Sequence, residues 1–536
     1  MSLVATLWTS RKVLCAAAAV GVISLASQAV SQSIAFKQAL AEGVADNKVV
    51  SAFYQERGYA PLWTGPSAED RKRRRAFLAA AEDATLHGLP SGRYDALRLR
   101  SKMRAARSDA ELGALEAELT ALFIRYAKDV QTGLLRPSRV DDEIVRKVPY
   151  RDPRSTLEAF AVSSPSGFIA SLHPQSREYA RLMKAKMTLK ELSEEGGWGP
   201  TVTARSVKPG FEGRDVVALR NRLIAMGYMD RSTTQTYDGE IESAVARFQE
   251  AHGLYADGVA GPGTLGEINK SVEDRIAQIL VAMERERWIN KPLGERHVWV
   301  NLTDFSAQIR DRGVVTFQTR SVIGAADRDR RSPEFSDEME FMVINPSWYV
   351  PRSIATKEYL PMLQQNPYAV NHLEITGPNG QLVNRAAVDF NAFTAETFPF
   401  GMREPPNQGN ALGLVKFMFP NRYNIYLHDT PAKSLFGREV RAFSHGCIRL
   451  NDPFDFAYAL LAVQSANPKA TFHNYLNTNE ETRVDLRQHV PVHIIYRTAF
   501  TSADGKAHFR RDVYGRDAKI WRALQAEGVT LPVVRG

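Results

Sequence analysis

The residues best equipped for chemistry lie between positions 428 and 449. Cys447 sits in the run RAFSHGCIRL, Arg441 to Leu450, directly after His445 and Gly446. A cysteine nucleophile needs a base to raise its thiolate fraction, and donors aimed at the oxyanion that develops on the attacked carbonyl. Gly446 lets substrate and backbone approach closely. The amides of His445, Gly446 and Cys447 are candidates to supply those donors from one tight turn. Two histidines lie near enough in sequence to act as the base, His428 and His445. His428 ends the stretch NRYNIYLHD, where strand alternation puts Asn424, Tyr426 and His428 on one face and Tyr423, Ile425 and Leu427 on the other. Tyr426 and His428 are thus expected to face one cleft. His445, two residues from Cys447 on a tight turn, is expected to point elsewhere. We read His428 as the base, with the main-chain carbonyl of Asp429 orienting its ring as the third group of such a constellation.

The setting of this thiol sharpens the reading. The chain has 536 residues and two cysteines. The other, Cys15, lies in an apolar run, VLCAAAAVGVISLA, preceded by Arg11 and Lys12 and followed by SQA. That order is a basic region, a short apolar core and small residues at a cleavage point, so residues 1–29 read as a signal peptide. The run is short for a spanning helix, which needs about 20 residues. Membrane attachment would come only through an uncleaved leader. Cys15 lacks the small residues that precede a lipidated cysteine. An exported chain with one remaining thiol has no disulfide partner for it, which favours chemical use of Cys447 over an inert buried role. Net charge is +9, a balance that suits acidic envelope polymers. The sharpest cationic run, RKRRR at Arg71 to Arg75, reads as a solvated helix face. No interleaved aromatic platform accompanies it, so a nucleic-acid partner is not expected.

The elements that must position these residues follow from pattern. Length alone suggests about three domains. Residues 34–195 read as helical, with Leu112, Leu115, Leu119, Leu122 and Tyr126 stepping by three and four along one face. The stretch FYQERGYAPLWTG, Phe53 to Gly65, reads as a loop packed on that domain, and Ser193 to Gly210 as a linker. Residues 207–270 form a compact unit of three helices. From about 296 the pattern alternates and is rich in Val, Ile, Thr and Phe, which predicts a mainly-β domain running to about 515. A short helix at PFDFAYALLAVQ follows the cysteine, and a closing hairpin turns at Asp504-Gly505. Residues 352–397 have weak β character and interrupt the strands, as a lid over a cleft would. The fold class is therefore multi-domain α+β.

Three stretches of residues 207–270, D-G-x-I, A-V-x-x-F-Q-x-x-x-G-L and D-G-V-x-G-x-x-T, resemble the peptidoglycan-binding domain type 1. The run HDT followed by SHGCIRL, with eighteen residues between His428 and Cys447, resembles the catalytic signature of the YkuD-type L,D-transpeptidases. INPSWYVPRSI, Ile344 to Ile354, resembles their N-P-x-W-x-V-P strand. The order of leader, helical region, wall-binding module and catalytic domain resembles the large periplasmic members from Gram-negative bacteria. The resemblance implies a periplasmic, wall-associated enzyme that forms 3→3 peptidoglycan cross-links on tetrapeptide stems and is acylated by carbapenems. It implies Cys447 as nucleophile, His428 as base and Asp429 as its orienting carbonyl, with His445 and Gly446 on the oxyanion side. Arg449 is implied as a carboxylate-positioning residue, for which a guanidinium fork is suited. A salt bridge that pins the turn is the alternative for it. Tyr426, Trp348 and Ser444 are implied as substrate-binding, Tyr426 and Trp348 as pocket walls with a core position as the alternative for either, and residues 352–397 as a capping insert. The run MREPPNQGNALG departs from the R-Q-x-P-G pattern of the family, so substrate contacts in the 402–410 loop do not carry over.

Rival readings use the same residues. His428, Asp429, His445 and Cys447 are all zinc-ligand types, but their spacing matches no short zinc motif, and neither metal nor cofactor is expected. A wall-binding protein with an inactive β-domain is opposed by the intact Cys-His pair. Water as acceptor would give an L,D-carboxypeptidase, and a protein amine would give protein anchoring to the wall. The residues themselves do not separate these acceptors.

Overall fold

The computed structural model describes residues 32–531, so the expected leader lies outside the described residues. Nine helices occupy Ile34–Glu194 among the described residues, in addition to one 3₁₀ turn. The longest, Asp109–Thr132, opens on a capping box in which Ser108 accepts the Glu111 amide and the Glu111 carboxylate accepts the Ser108 amide. Its buried stripe includes Leu115, Leu119 and Tyr126, with Leu112 and Leu122 at the margin.

Two features of this region differ from expectation. Phe53 and Tyr54 belong to the helix Lys48–Glu56, and only the part after Glu56 is loop. That loop is held from beneath by Glu116, fully buried on the long helix. Its carboxylate accepts the amides of Leu62 (2.5 Å), Trp63 (3.1 Å) and Thr64 (2.8 Å) and the hydroxyl of Tyr54 (2.8 Å). The cationic run is also not wholly solvated. Arg73 is buried, pairs with Asp70 at 3.0 Å and donates to the Ala161 carbonyl at 2.7 Å, and Arg74 donates to the carbonyls of Trp63 and Gly65. Loop carbonyls without ladder partners need donors, and these two side chains supply them.

The unit after the linker packs helices Arg214–Ala225, Gly239–Ala251 and Pro262–Ile268 around Leu219, Leu223, Ile241, Val245 and Phe248. A further helix, Val272–Trp288, is buried almost all round. One side packs Ile276, Leu280 and Trp288 into the N-terminal core, and another packs Ile279 and Met283 against Tyr179, Leu182 and Phe509. It is the axle between the helical region and the sheet.

The mainly-β part contains β1 (Arg296–Asn301), β2 (Ser306–Asp311), β3 (Val314–Gly324), β4 (Phe335–Ile344), β5 (Trp348–Tyr349), β6 (Glu374–Thr376), β7 (Gly401–Glu404), β8 (Val415–Met418), β9 (Leu427–His428), β10 (Ala442–Ser444), β11 (Ile448–Leu450), β12 (Thr482–Ile495), β13 (Ala499–Thr501) and β14 (Ala507–Phe509). Nine of them form one sheet in the order β10-β3-β11-β9-β8-β4-β12-β1-β2, and a β2–β3 pairing closes it into a barrel. Val300, Ile309, Met342, Phe417, Leu427, Ile448 and Ile494 fill its core. The insert is a small subdomain: β5, β7 and β6 form its own sheet, packed over Leu360, Leu363, Val370 and Phe398. β5 and β7 flank the 352–397 segment and the three-residue β6 lies within it, consistent with the weak β character of that stretch. β13 and β14 form the closing hairpin, with Gly505 at φ 88 in the turn. A last helix, Arg516–Ala526, returns Ile520 and Leu524 to the N-terminal core.

Candidate active site

The site grows from two short strands at the barrel mouth. β11 pairs in parallel with β9 in the register Ile448↔Leu427 and Arg449↔His428, and the Ile448 amide donates to the Tyr426 carbonyl at 3.0 Å. Side chains alternate along a strand. Leu427 and Ile448 therefore enter the barrel core, while Tyr426, His428, Cys447 and Arg449 share the opposite face. The rings of Tyr426 and His428 lie 5.6 Å apart. The alternation holds only from Ile425 onward, because Asn424 has φ 53 and belongs to a turn.

His428 is buried, and its Nδ1–H donates to the Asp429 carbonyl at 2.5 Å. A carbonyl can only accept, so Nδ1 carries the proton and Nε2 is left basic. Burial, reinforced by the charge of Arg449, pushes the imidazole down to about 3, outweighing the pull of the Asp429 and Leu412 main chain toward the charged form. Asp429 is itself fixed. Its carboxylate accepts the Leu414 amide at 2.9 Å and the Lys433 ammonium at 2.7 Å. It lies against Gly413, φ 63, where a Cβ would meet it at 2.3 Å.

Cys447 is the free cysteine of the described residues and is half-buried. Its thiol donates to the Asn424 carbonyl at 3.5 Å. Burial pushes the thiol up to about 11, opposed by hydrogen bonds from the main chain and hydroxyl of Tyr426 and by the charge of Arg449. Thiol and imidazole are thus both neutral at pH 7, and no hydrogen bond joins them among the described residues. Arg449 has no carboxylate partner among the described residues, and its Nε is buried without an acceptor. The salt-bridge alternative for Arg449 is therefore not realised.

The turn before Cys447 corrects two expectations, for Gly446 and for Ser444. Gly446 has φ 112, a conformation that favours glycine, but its amide donates to Ser444 Oγ at 3.1 Å and is not free for an oxyanion. Among the described residues the amides of His445 and Cys447 have no protein acceptor, so they remain as the donor pair. Ser444 is buried and also donates to the Cys447 carbonyl at 2.5 Å. It clamps the turn and offers nothing to substrate. The side chain of His445 points away from the thiol and meets Glu358 of the insert at 2.6 Å. Glu358 also pairs with Arg330, and Lys357 with Asp329, so these contacts latch the insert onto the barrel mouth.

Trp348 is also not a pocket wall. It is buried in the core of the insert beside Tyr359, whereas Tyr426 packs against both the barrel core and the insert core. In the 402–410 loop, Glu404 is buried and accepts the Ala411 amide at 2.9 Å, and Arg403 donates to Ser347 at 3.0 Å. Those side chains are engaged within the loop. Among the described residues no group of three or more His, Cys, Asp and Glu is arranged to hold a metal ion. Among them, too, no helix is long and apolar enough to cross a membrane.

Comparison with known proteins places these features in a class. Residues 295–479 match the family described as L,D-transpeptidase catalytic domain, residues 48–185 match a scaffold domain, and residues 212–268 match a family described as "Putative peptidoglycan binding domain". The chain therefore carries an L,D-transpeptidase catalytic domain, an acyltransferase class, together with scaffold and peptidoglycan-binding domains. It is 30% identical over 255 residues to a Haemophilus influenzae protein named "Putative L,D-transpeptidase", across 47% of this chain and 51% of that protein. The chain thus spans about half the length of the curated relative it matches. Among solved structures, an L,D-transpeptidase from Xylanimonas cellulosilytica aligns over 55% of this chain and 100% of its own at 15% identity and a TM-score of 0.16. A fused Zn-dependent amidase/peptidase/peptidoglycan-binding domain-containing protein from Clostridium acetobutylicum aligns over 54% of this chain and 99% of its own, at 11% identity and a TM-score of 0.15.

Proposed function

We propose that the chain is a cysteine L,D-transpeptidase that forms 3→3 cross-links between peptidoglycan stem peptides through an acyl-enzyme on Cys447. The observation that carries this reading is the shared face of Cys447, His428, Tyr426 and Arg449 on two paired strands, with Nδ1 of His428 already committed to the Asp429 carbonyl. A tetrapeptide stem presents its terminal carboxylate to the unpaired guanidinium of Arg449. The thiol turns from the Asn424 carbonyl and passes its proton to Nε2 as Sγ attacks the carbonyl on the L-centre of diaminopimelate. The new C–S bond pushes a pair of electrons onto oxygen, where the amides of His445 and Cys447 donate. Collapse breaks the bond to D-Ala, whose amine takes the proton from Nε2. The side-chain amine of a second stem then loses a proton to Nε2, attacks the thioester and returns the sulfur to its thiol state.

The peptidoglycan-binding domain implies a cell-envelope location, and the periplasm is part of this proposal. The latched insert supports a peptide substrate enclosed at the barrel mouth. Carbapenems, which present a reactive cyclic amide, would acylate the same sulfur. Intact-protein mass spectrometry after mixing with tetrapeptide tests the acyl-enzyme. A covalent adduct equal to the stem less D-Ala is expected on the native chain and absent from Cys447→Ala. An adduct surviving in Cys447→Ala would overturn the nucleophile assignment.

A further inference from the structure

The catalytic turn is held on its outer side by a loop that nothing in the reaction uses. Ser332, fully buried, donates from Oγ to the Gly446 carbonyl at 2.6 Å and accepts the Gly324 amide at 3.0 Å. Its own carbonyl accepts Nη2 of Arg516 at 2.9 Å. Arg516 is fully buried, stacks on Tyr496 and Tyr514, and pairs with Glu334 at 3.4 Å and with Glu143 at 3.0 Å. Glu334 in turn binds Arg285 of the axle helix at 2.7 Å.

Glu143 belongs to the N-terminal helical region, and its segment docks on this loop as a strand would. The Glu334 amide donates to the Glu143 carbonyl and the Val145 amide to the Glu334 carbonyl, both at 2.8 Å. Arg331 and Arg328 of the same loop face Glu143 and Asp142. On its other side, Arg330 and Asp329 hold the insert through Glu358 and Lys357. One loop, residues 327–334, thus touches the helical region, the insert and the backbone next to the nucleophile.

The geometry points to Ser332 as a positioning residue for the catalytic turn, and to the N-terminal helical domain as the element that, through Glu143 and Arg516, holds that turn in place. Gly446 sits at φ 112 one residue before the nucleophile, so a shift of its carbonyl swings the Cys447 amide and sulfur directly. An isolated catalytic barrel would keep every reacting group and Ser332 itself, and would lose the Glu143 segment that fixes the loop from outside. Buried charge pairs add little net stability against apolar replacements, but they impose geometry when every partner is in place. The inference rests on the proposed reaction only for its kinetic readout.

The test uses the full chain with Ser332→Ala and Glu143→Gln. Misplacement on the order of 1 Å costs about 100-fold in rate when reacting atoms must align. Ser332→Ala is therefore expected to lower kcat by about 10- to 100-fold with KM within about twofold. Glu143→Gln, which leaves Arg516 one carboxylate, is expected to lower kcat by at least about threefold on the same reasoning. Amide hydrogen exchange over residues 444–448 should accelerate in both, while the melting temperature of Glu143→Gln stays at the native value. Wild-type kcat and wild-type exchange in Ser332→Ala overturn the positioning role. The same result confined to Glu143→Gln overturns the domain coupling. If Ser332→Ala fails to fold, Glu143→Gln decides alone. If the native chain does not turn over stem peptide, the reaction proposed above falls, and the exchange rates still decide this inference.

Discussion

Replacing Tyr426 by Phe isolates one hydroxyl. The ring packs between the barrel core and the insert core, and Phe keeps that packing, so the fold should be nearly unaffected. What is lost is the hydroxyl beside Cys447, one of the groups that oppose the burial raising the thiol to about 11. A hydrogen bond to a charged group is worth about 1.5–3 kcal/mol. At about 1.36 kcal/mol per pH unit, its loss raises the thiol further, by about 1–2 pH units. Below that range the thiolate fraction falls about 10- to 100-fold at any fixed pH. The rate of alkylation by iodoacetamide, a small neutral reagent that needs no substrate site, follows the thiolate. Measured from pH 7 to 10, Tyr426→Phe should react about 10- to 100-fold more slowly than the native chain with parallel pH dependence. Superimposable profiles would refute the idea that Tyr426 supports the thiolate. Native alkylation at pH 7 as fast as that of an unhindered cysteine would refute the neutral resting thiol itself.

Other expectations follow from the same geometry. His428→Ala should lower kcat/KM by at least about 100-fold, the scale of a lost general base. His445→Ala, which breaks only the Glu358 latch, should act chiefly on KM; steady-state kinetics of both decide, and the reverse order would reassign the base. Arg449→Met should raise KM for tetrapeptide by about 10-fold or more while leaving the melting temperature unchanged or higher, because it removes a partly buried, unpaired charge. A melting temperature lowered by several degrees would show that Arg449 braces the turn. The pH dependence of stability has a definite sign. Burial pushes His87 and His428 down to about 3 and His493 to about 4, so each is fully stabilising above about 6.5 and that stability is lost as pH falls toward those values. Each such imidazole costs up to about 1.4 kcal/mol per pH unit. Asp517, pushed up to about 6 by burial, works in the opposite direction but is outnumbered. The thermal midpoint should therefore fall from pH 7 to pH 5, and a flat profile would contradict the buried neutral imidazoles.

Much of this was legible in the chain because the determinants are local. The stripe from Leu112 to Tyr126 announces a helix, and the alternation of Ile425 to His428 places Tyr426 beside His428. Cys447 stands out by its neighbours and by the lack of a second thiol outside the leader. What pattern missed depends on long-range partners. Ser444 reads as a polar residue near a nucleophile, and only the folded turn shows its hydroxyl spent on the Gly446 amide and Cys447 carbonyl. Trp348 reads as a pocket aromatic until the insert closes around it. Arg73 reads as a surface charge until the Ala161 carbonyl, 88 positions away, is brought to it. Ser332 lies 114 positions from the Gly446 carbonyl it holds, and Arg516 lies 184 positions from Ser332, so spacing carries no trace of them. Their signal would have been the buried, polar character of RRSPEF and YGRD, which strand patterning does not weigh.

The central claim is that Cys447 makes and transfers an acyl group between stems. Incubating the protein with disaccharide-tetrapeptide and reading products by mass spectrometry tests it most directly. The account predicts a dimer lacking one D-Ala, formed by the native chain and absent with Cys447→Ala. Tripeptide without dimer would contradict transfer to a second stem, and dimer formed by Cys447→Ala would contradict the sulfur's role altogether.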